Sequence, residues 1–118
     1  MYFGLSEDQI FFQDNVKKFL EDQLTLDTVK KITEDEDDLA KEELHKGLIN
    51  LGINNILIPE EYGGLGLDLL FATAVSQSLG EGVATLPFLG PYIVAPTAIK
   101  YGASDNQKEK LFAGMCQN

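Results

Sequence analysis

The chain has 118 residues, 44 % of them hydrophobic, with nine lysines, no arginine, nineteen acids and a formal charge of −10. That length suits a single domain, large enough to bury about two thirds of the surface its extended chain exposes. So acidic a surface repels nucleic acid and anionic lipid, and the absence of arginine removes the usual bidentate clamp for phosphate or carboxylate.

The first helix has a marked start. Ser6 and Gln9 form an S-x-x-Q capping box, with Leu5 and Ile10 at the hydrophobic-staple positions and Glu7 and Asp8 in the first turn. Phe12, Val16, Phe19 and Leu20 recur at helical spacing and predict one buried stripe, widened by Phe11, up to about Leu24. Residues 25–33 read as a short second helix or turn with Leu26, Val29 and Ile32 inward. The acidic run 34–38 has no glycine where a calcium loop needs one, so it reads as a solvated helix start with Thr33 and Glu36 as a second capping box. A third helix follows with Ala40, Leu44, Leu48 and Leu51 on one stripe, and Gly52 suits the left-handed residue after it. His45, the only histidine, has no clustered acid or cysteine in the sequence and reads as a surface residue.

Residues 58–68, Ile-Pro-Glu-Glu-Tyr-Gly-Gly-Leu-Gly-Leu-Asp, organise the middle of the chain. Pro59 stops a preceding helix, Gly63, Gly64 and Gly66 permit sharp turns, and Asp68 is a good N-cap. A glycine-rich loop before a helix suggests phosphate binding, but Glu60 and Glu61 precede the glycines and no Lys or Arg occurs from Gly47 to Ile99. Neither nucleotide fingerprint is matched, so the loop reads as a structural turn.

The next helix, 68–80, is apolar or small nearly all round, which hints at a partner surface. Residues 81–90 are a connection, followed by a helix from Pro91 to about Gly102 that Pro96 should kink or split. No charge occurs from Thr85 to Ile99, which suits a wall facing a ligand or another domain. The last helix opens with Ser104 and Gln107 as a capping box and carries a stripe of Leu111, Phe112 and Met115. Only Ile56–Ile58 is ambiguous with a strand. The expected fold is an all-α, orthogonal or up-down bundle of five to six helices.

No Ser–His–Asp, CxxC or HExxH pattern is present, so no catalytic residue, cofactor ligand or metal ligand is expected in this chain. Cys116 cannot form an internal disulfide and reads as a small apolar residue. The start, residues 1–8, lacks the basic n-region and apolar core of a signal peptide, and no apolar run approaches the roughly 20 residues of a membrane span. A soluble cytoplasmic protein is the expectation.

Two separated motifs carry a family resemblance. Leu48-Ile49-Asn50-Leu51-Gly52-Ile53 followed by Ile58-Pro59-Glu60-Glu61-Tyr62-Gly63-Gly64-Leu65-Gly66, and then Tyr101-Gly102-Ala103-Ser104-Asp105-Asn106-Gln107-Lys108-Glu109-Lys110-Leu111, resemble the N-terminal helical domain of acyl-CoA dehydrogenases over essentially all 118 residues. The resemblance implies a larger FAD-dependent enzyme that desaturates an acyl-CoA thioester and passes electrons to an electron-transfer flavoprotein-type acceptor, often as a homo-oligomer. The family's glutamate base and most of its FAD contacts lie in middle and C-terminal domains, so residues 1–118 are expected to be one domain of a longer chain, inactive alone. By position, Phe88, Leu89, Tyr92, Ile93 and Pro96 are the expected acyl-pocket wall. The 86–90 run departs from short- and medium-chain mitochondrial members, which leaves acyl length open. The competing expectation is a stand-alone helical interaction module that kept the fold and lost the enzyme.

Overall fold

The structure is a computed structural model that describes residues 4–117. The expectations drawn from residues 1–3 and from Asn118 lie outside the described residues. Among the described residues there are six α-helices and no strand, in agreement with the all-α expectation. They are α1 (Glu7–Gln23), α2 (Leu26–Thr33), α3 (Asp38–Asn50), α4 (Leu69–Glu81), α5 (Ala95–Gly102) and α6 (Asp105–Cys116). The chain forms two compact units, Met1–Leu51 with Thr73–Leu86, and Gly52–Ala72 with Pro87–Asn118.

In the first unit, Ser6 Oγ accepts from the Gln9 N–H at 3.2 Å and Gln9 Oε1 accepts from the Ser6 N–H at 2.8 Å, completing the expected capping box of α1. The buried stripe of α1 is Gln9, Gln13, Val16 and Leu20, rotated from the expected one. Phe12 and Phe19 are half-buried and Phe11 is 70 % exposed, because at 100° per residue Phe11 lies opposite Gln9. Each buried glutamine has a partner: Gln9 Oε1 is used in the capping box, and Gln13 Nε2 donates to the Ala74 carbonyl of α4 at 3.0 Å, while Ser78 Oγ donates to the Gln13 backbone carbonyl at 3.4 Å.

The α2 reading also needs correction. Ile32 is buried and Val29 half-buried, but Leu26 is 79 % exposed. Residues three apart drift by 60° per step on a 3.6-residue helix, so Leu26 and Ile32 lie on different faces. Thr33 belongs to α2 and its Oγ1 donates back to the Val29 carbonyl. Asp37 is therefore the N-cap of α3, accepting from the Ala40 N–H at 3.1 Å, and the expected Thr33–Glu36 box does not form. Leu44 and Leu48 are the buried residues of α3, with Ala40 and Leu51 half-buried.

The end of α4 closes with two hydrogen bonds, Val83 N–H to the Gly80 carbonyl at 3.1 Å and Ala84 N–H to the Leu79 carbonyl at 2.9 Å. This is a Schellman ending, whose left-handed position glycine normally takes. Here it is Val83, at φ 55°. Gly82 stands one residue earlier, where a Cβ would lie 2.6 Å from Leu20 Cδ1. Along α4, Phe71, Ala72, Ala74, Val75, Ser78 and Leu79 are buried, while Leu69 and Leu70 are exposed. After Leu70 the exposed positions are Thr73, Ser76, Gln77, Gly80 and Glu81, so the expected apolar outer face is confined to the first turn.

In the second unit the loop after Pro59 is a closed hydrogen-bonded system. A 3-10 turn spans Glu60–Tyr62 and ends at Gly63, φ 90°. The N–H groups of Leu65, Gly66 and Leu67 then donate to the carbonyls of Asn55, Ile58 and Ile56 at 2.8–2.9 Å. Gly64 lies so close to the Ile58 carbonyl that any Cβ would overlap it. Asp68 Oδ1 accepts from the Phe71 N–H at 3.0 Å, the expected cap of α4.

Pro96 splits the following helix, as expected. Residues Gly90–Val94 form a widened π turn in which the Ala95 N–H reaches the Gly90 carbonyl, and α5 continues from Ala95. An uninterrupted α-helix would drive the Pro96 ring against the Tyr92 carbonyl and leave that carbonyl without a donor. Thr97 Oγ1 donates to the Ile93 carbonyl at 2.6 Å in the same turn. On α6 the Ser104–Gln107 capping box is complete and Phe112 is fully buried, its ring 5.1 Å from that of Tyr62. Leu111, placed inward by the sequence reading, is 46 % exposed; the inward stripe is Lys108, Phe112 and Met115, at i, i+4 and i+7.

Replacing Val83 by glycine relieves the left-handed strain at an exposed site and should raise unfolding stability by about 1 kcal/mol in urea titration. Gly64→Ala should lower it by about 2 kcal/mol in the same titration, because a Cβ cannot fit beside the Ile58 carbonyl.

Candidate functional site

The uncharged run 85–99 lies almost entirely in the second unit, and its turn geometry decides which side chains reach the surface. Phe88 is 9 % exposed and Pro96 is fully buried, whereas Leu89 is 65 % exposed and Tyr92 and Ile93 are half-buried. Phe88 and Tyr92 are one turn apart, joined by a Tyr92 N–H to Phe88 carbonyl bond of 3.1 Å, and their rings sit 6.1 Å apart at 60°. Burial pushes the Tyr92 phenol above its ordinary pKa. Of the five expected wall residues, the structure thus brings Phe88 and Tyr92 into a ring pair, leaves Leu89 out in solvent, and places Pro96 inside the unit. The sequence reading did not single out Val94, which is 56 % exposed. The signal was present in Pro96, since the turn that accommodates it is wider than an α turn and shifts which residues face outward.

A concavity in the same unit, about 410 Å3, lies beside the 3-10 turn. Leu57, Pro59, Tyr62 and Phe112 provide apolar lining, and Glu60, Glu61, Lys100 and Lys108 provide charge. Lys100 Nζ stands 5.5 Å from the centre of the exposed Tyr101 ring. The Tyr62 phenol is raised by burial first and then by the carboxylates of Glu61, Asp105 and Glu109. The glycine loop cannot cradle a phosphate, because the N–H groups of Gly63, Gly64, Leu65, Gly66 and Leu67 are all committed to backbone carbonyls. Among the described residues no group of three or more His, Cys, Asp or Glu side chains could hold a metal ion. No helix among them is long and apolar enough to cross a membrane.

Cys116 donates to the Tyr62 carbonyl at 3.5 Å, and Asn54 Nδ2 donates to the Met115 carbonyl at 3.2 Å, so the last turn of α6 is tied to the loop region on two sides. Burial raises the Cys116 thiol pKa.

Residues 6–118 match the family described as acyl-CoA dehydrogenase, N-terminal domain. The chain belongs to the acyl-CoA dehydrogenase family. It is 29 % identical over 106 residues to the (2S)-methylsuccinyl-CoA dehydrogenase of Cereibacter sphaeroides, an alignment covering 89 % of this chain and 19 % of that protein. The chain therefore spans about a fifth of the length of that relative. No solved structure gives a significant match. The two motifs that carried the resemblance meet in this acyl-CoA dehydrogenase N-terminal domain: the loop after Pro59 and the helix after Ser104 are packed together through Tyr62 and Phe112.

A raised thiol pKa leaves less thiolate at a given pH. Iodoacetamide should therefore label Cys116 at pH 8 several-fold more slowly than the unfolded chain, and the difference should vanish in urea, as read by mass spectrometry.

Proposed function

We propose that this acyl-CoA dehydrogenase N-terminal domain supplies part of the wall along which the acyl chain of an acyl-CoA thioester lies, with Leu89, Tyr92 and Ile93 facing it and Phe88 and Pro96 supporting them from behind. The single observation that carries this reading is Leu89, a large aliphatic side chain 65 % exposed on a run without charge, beside the Phe88–Tyr92 ring pair. Burying an acyl chain against such a surface is favourable at about 25 cal/mol per Å2 of apolar area. The relative's name indicates that it acts on methylsuccinyl-CoA. In this chain no lysine lies between residues 85 and 99 to pair with a free carboxylate, which favours an acyl group that is apolar where it meets the wall.

In the proposed whole enzyme, residues 1–118 are one domain, and α,β-desaturation, FAD binding and electron transfer to a flavoprotein-type acceptor depend on further domains. FAD, when bound, would supply the redox chemistry. The glycine loop does not fit its diphosphate, since the loop N–H groups are spent internally and Glu60 and Glu61 stand beside them. What this chain contributes is shape and exclusion of water along the acyl group.

Two measurements test the reading. The 118-residue chain alone should bind no flavin and reduce no acceptor with acyl-CoA; a yellow, active preparation refutes it. In the complete gene product, Leu89→Asp should lower kcat/KM for acyl-CoA substrates at least about tenfold by setting a carboxylate against the acyl chain, with the melting temperature unchanged. Leu39→Asp, at a comparably exposed site in the other unit, should leave both unchanged.

A further inference from the structure

The concavity beside the 3-10 turn is lined by charges of both signs that do not pair with one another. Glu60 and Glu61 line it from the turn, Lys100 from the end of α5 and Lys108 from early in α6. Among the described residues none of these four side chains has an ion pair, so the two signs are held apart within one cavity. The Lys100 ammonium stands instead 5.5 Å from the centre of the Tyr101 ring. Opposite charges that share a cleft without meeting are free to be bridged by something else.

The rest of the lining indicates what could do so. Leu57, Pro59, Tyr62, Leu67 and Phe112 make it largely apolar, and the fully buried Phe112 ring backs that of Tyr62 at 5.1 Å. Glu60 is held close to the loop: a Cβ at Gly66 would lie 2.9 Å from Glu60 Cγ, so only a glycine there leaves room for this side chain. Glu61, Asp105 and Glu109 stand near enough to the Tyr62 phenol to add to the rise that burial causes in its pKa, so a cation against this ring would meet carboxylates as well as a π face. The volume of about 410 Å3 falls within the roughly 300–1,000 Å3 of small-molecule pockets. A simple anion would face Glu60 and Glu61, and a simple cation would face Lys100 and Lys108. A molecule carrying both charges, with an apolar stretch separating them, meets each with its opposite.

We propose that this concavity binds a small ω-amino carboxylic acid, its ammonium received by Glu60 and Glu61, its carboxylate by Lys100 and Lys108, and its methylenes by Tyr62 and Leu67. The separation of the protein's own charges selects for a ligand whose charges are also separated, and against an α-amino acid, which carries both at one end. None of Leu89, Tyr92 and Ile93 lines the cavity, so the site does not depend on the proposed acyl wall.

The test uses the 118-residue chain, which contains every lining residue, with isotope-labelled backbone amides titrated at low salt with ε-aminocaproate. Saturable shifts confined to Glu60–Tyr62, Lys100, Tyr101 and Lys108 and their neighbours, weakening as salt is raised, are expected. Caproate, hexylamine and glycine should each bind at least about tenfold more weakly. Glu60→Gln and Lys100→Gln alter exposed side chains and should leave the melting temperature unchanged. Glu60→Gln should weaken ε-aminocaproate about tenfold without weakening caproate, and Lys100→Gln should weaken it about tenfold without weakening hexylamine. A general loss of surface charge would not give that split. The proposal fails if ε-aminocaproate gives no saturable shift, if caproate, hexylamine or glycine binds as tightly, or if either variant binds ε-aminocaproate like the parent. It also fails if the shifts spread evenly over the chain, which would mark non-specific association.

Discussion

The closed hydrogen bonding between residues 55–58 and 65–67 is the constraint on which the second unit rests. Three consecutive N–H groups, from Leu65, Gly66 and Leu67, reach back to the carbonyls of Asn55, Ile58 and Ile56. A loop that buries Ile53, Ile56 and Ile58 must satisfy its backbone polar groups, and it does so within itself. This one arrangement explains the glycines, because Gly63 and Gly66 take positive φ and Gly64 touches the Ile58 carbonyl. It also explains why the loop does not bind phosphate: the donors a phosphate needs are already used.

The same loop sets the position of α6. Tyr62 lies against Phe112, its carbonyl accepts from Cys116, and Asn54 holds the Met115 carbonyl. Two motifs separated in sequence are thereby parts of one packed feature. Their joint presence in this chain is intelligible as a packing requirement, with no catalytic role needed for the glycines or for Tyr62.

Strain in this chain is resolved in two ways. Pro96 removes a helical donor, and the chain answers with a wider turn at Gly90–Val94 that costs little and redirects the side chains before α5. Val83 meets the opposite outcome. It keeps an unfavourable backbone conformation with its side chain mostly in water. The first has a local cause, the missing N–H of Pro96, whereas no burial offsets the second.

The amino-acid sequence by itself determined where α1, α4 and α6 start. Ser6 with Gln9, Asp68, and Ser104 with Gln107 all cap as read, since capping involves residues three apart and needs no distant partner. Pro96 split its helix for an equally local reason. Only the tertiary structure decided which face of each helix is buried. Gln13 is buried while Phe11 is not because α4 supplies the Ala74 carbonyl, sixty-one residues from Gln13, as a partner. Leu26, Leu69 and Leu111 stay exposed although each stands in an apolar pattern. Periodicity gives the width of a stripe but not its rotation, and rotation depends on groups that sequence neighbours cannot provide.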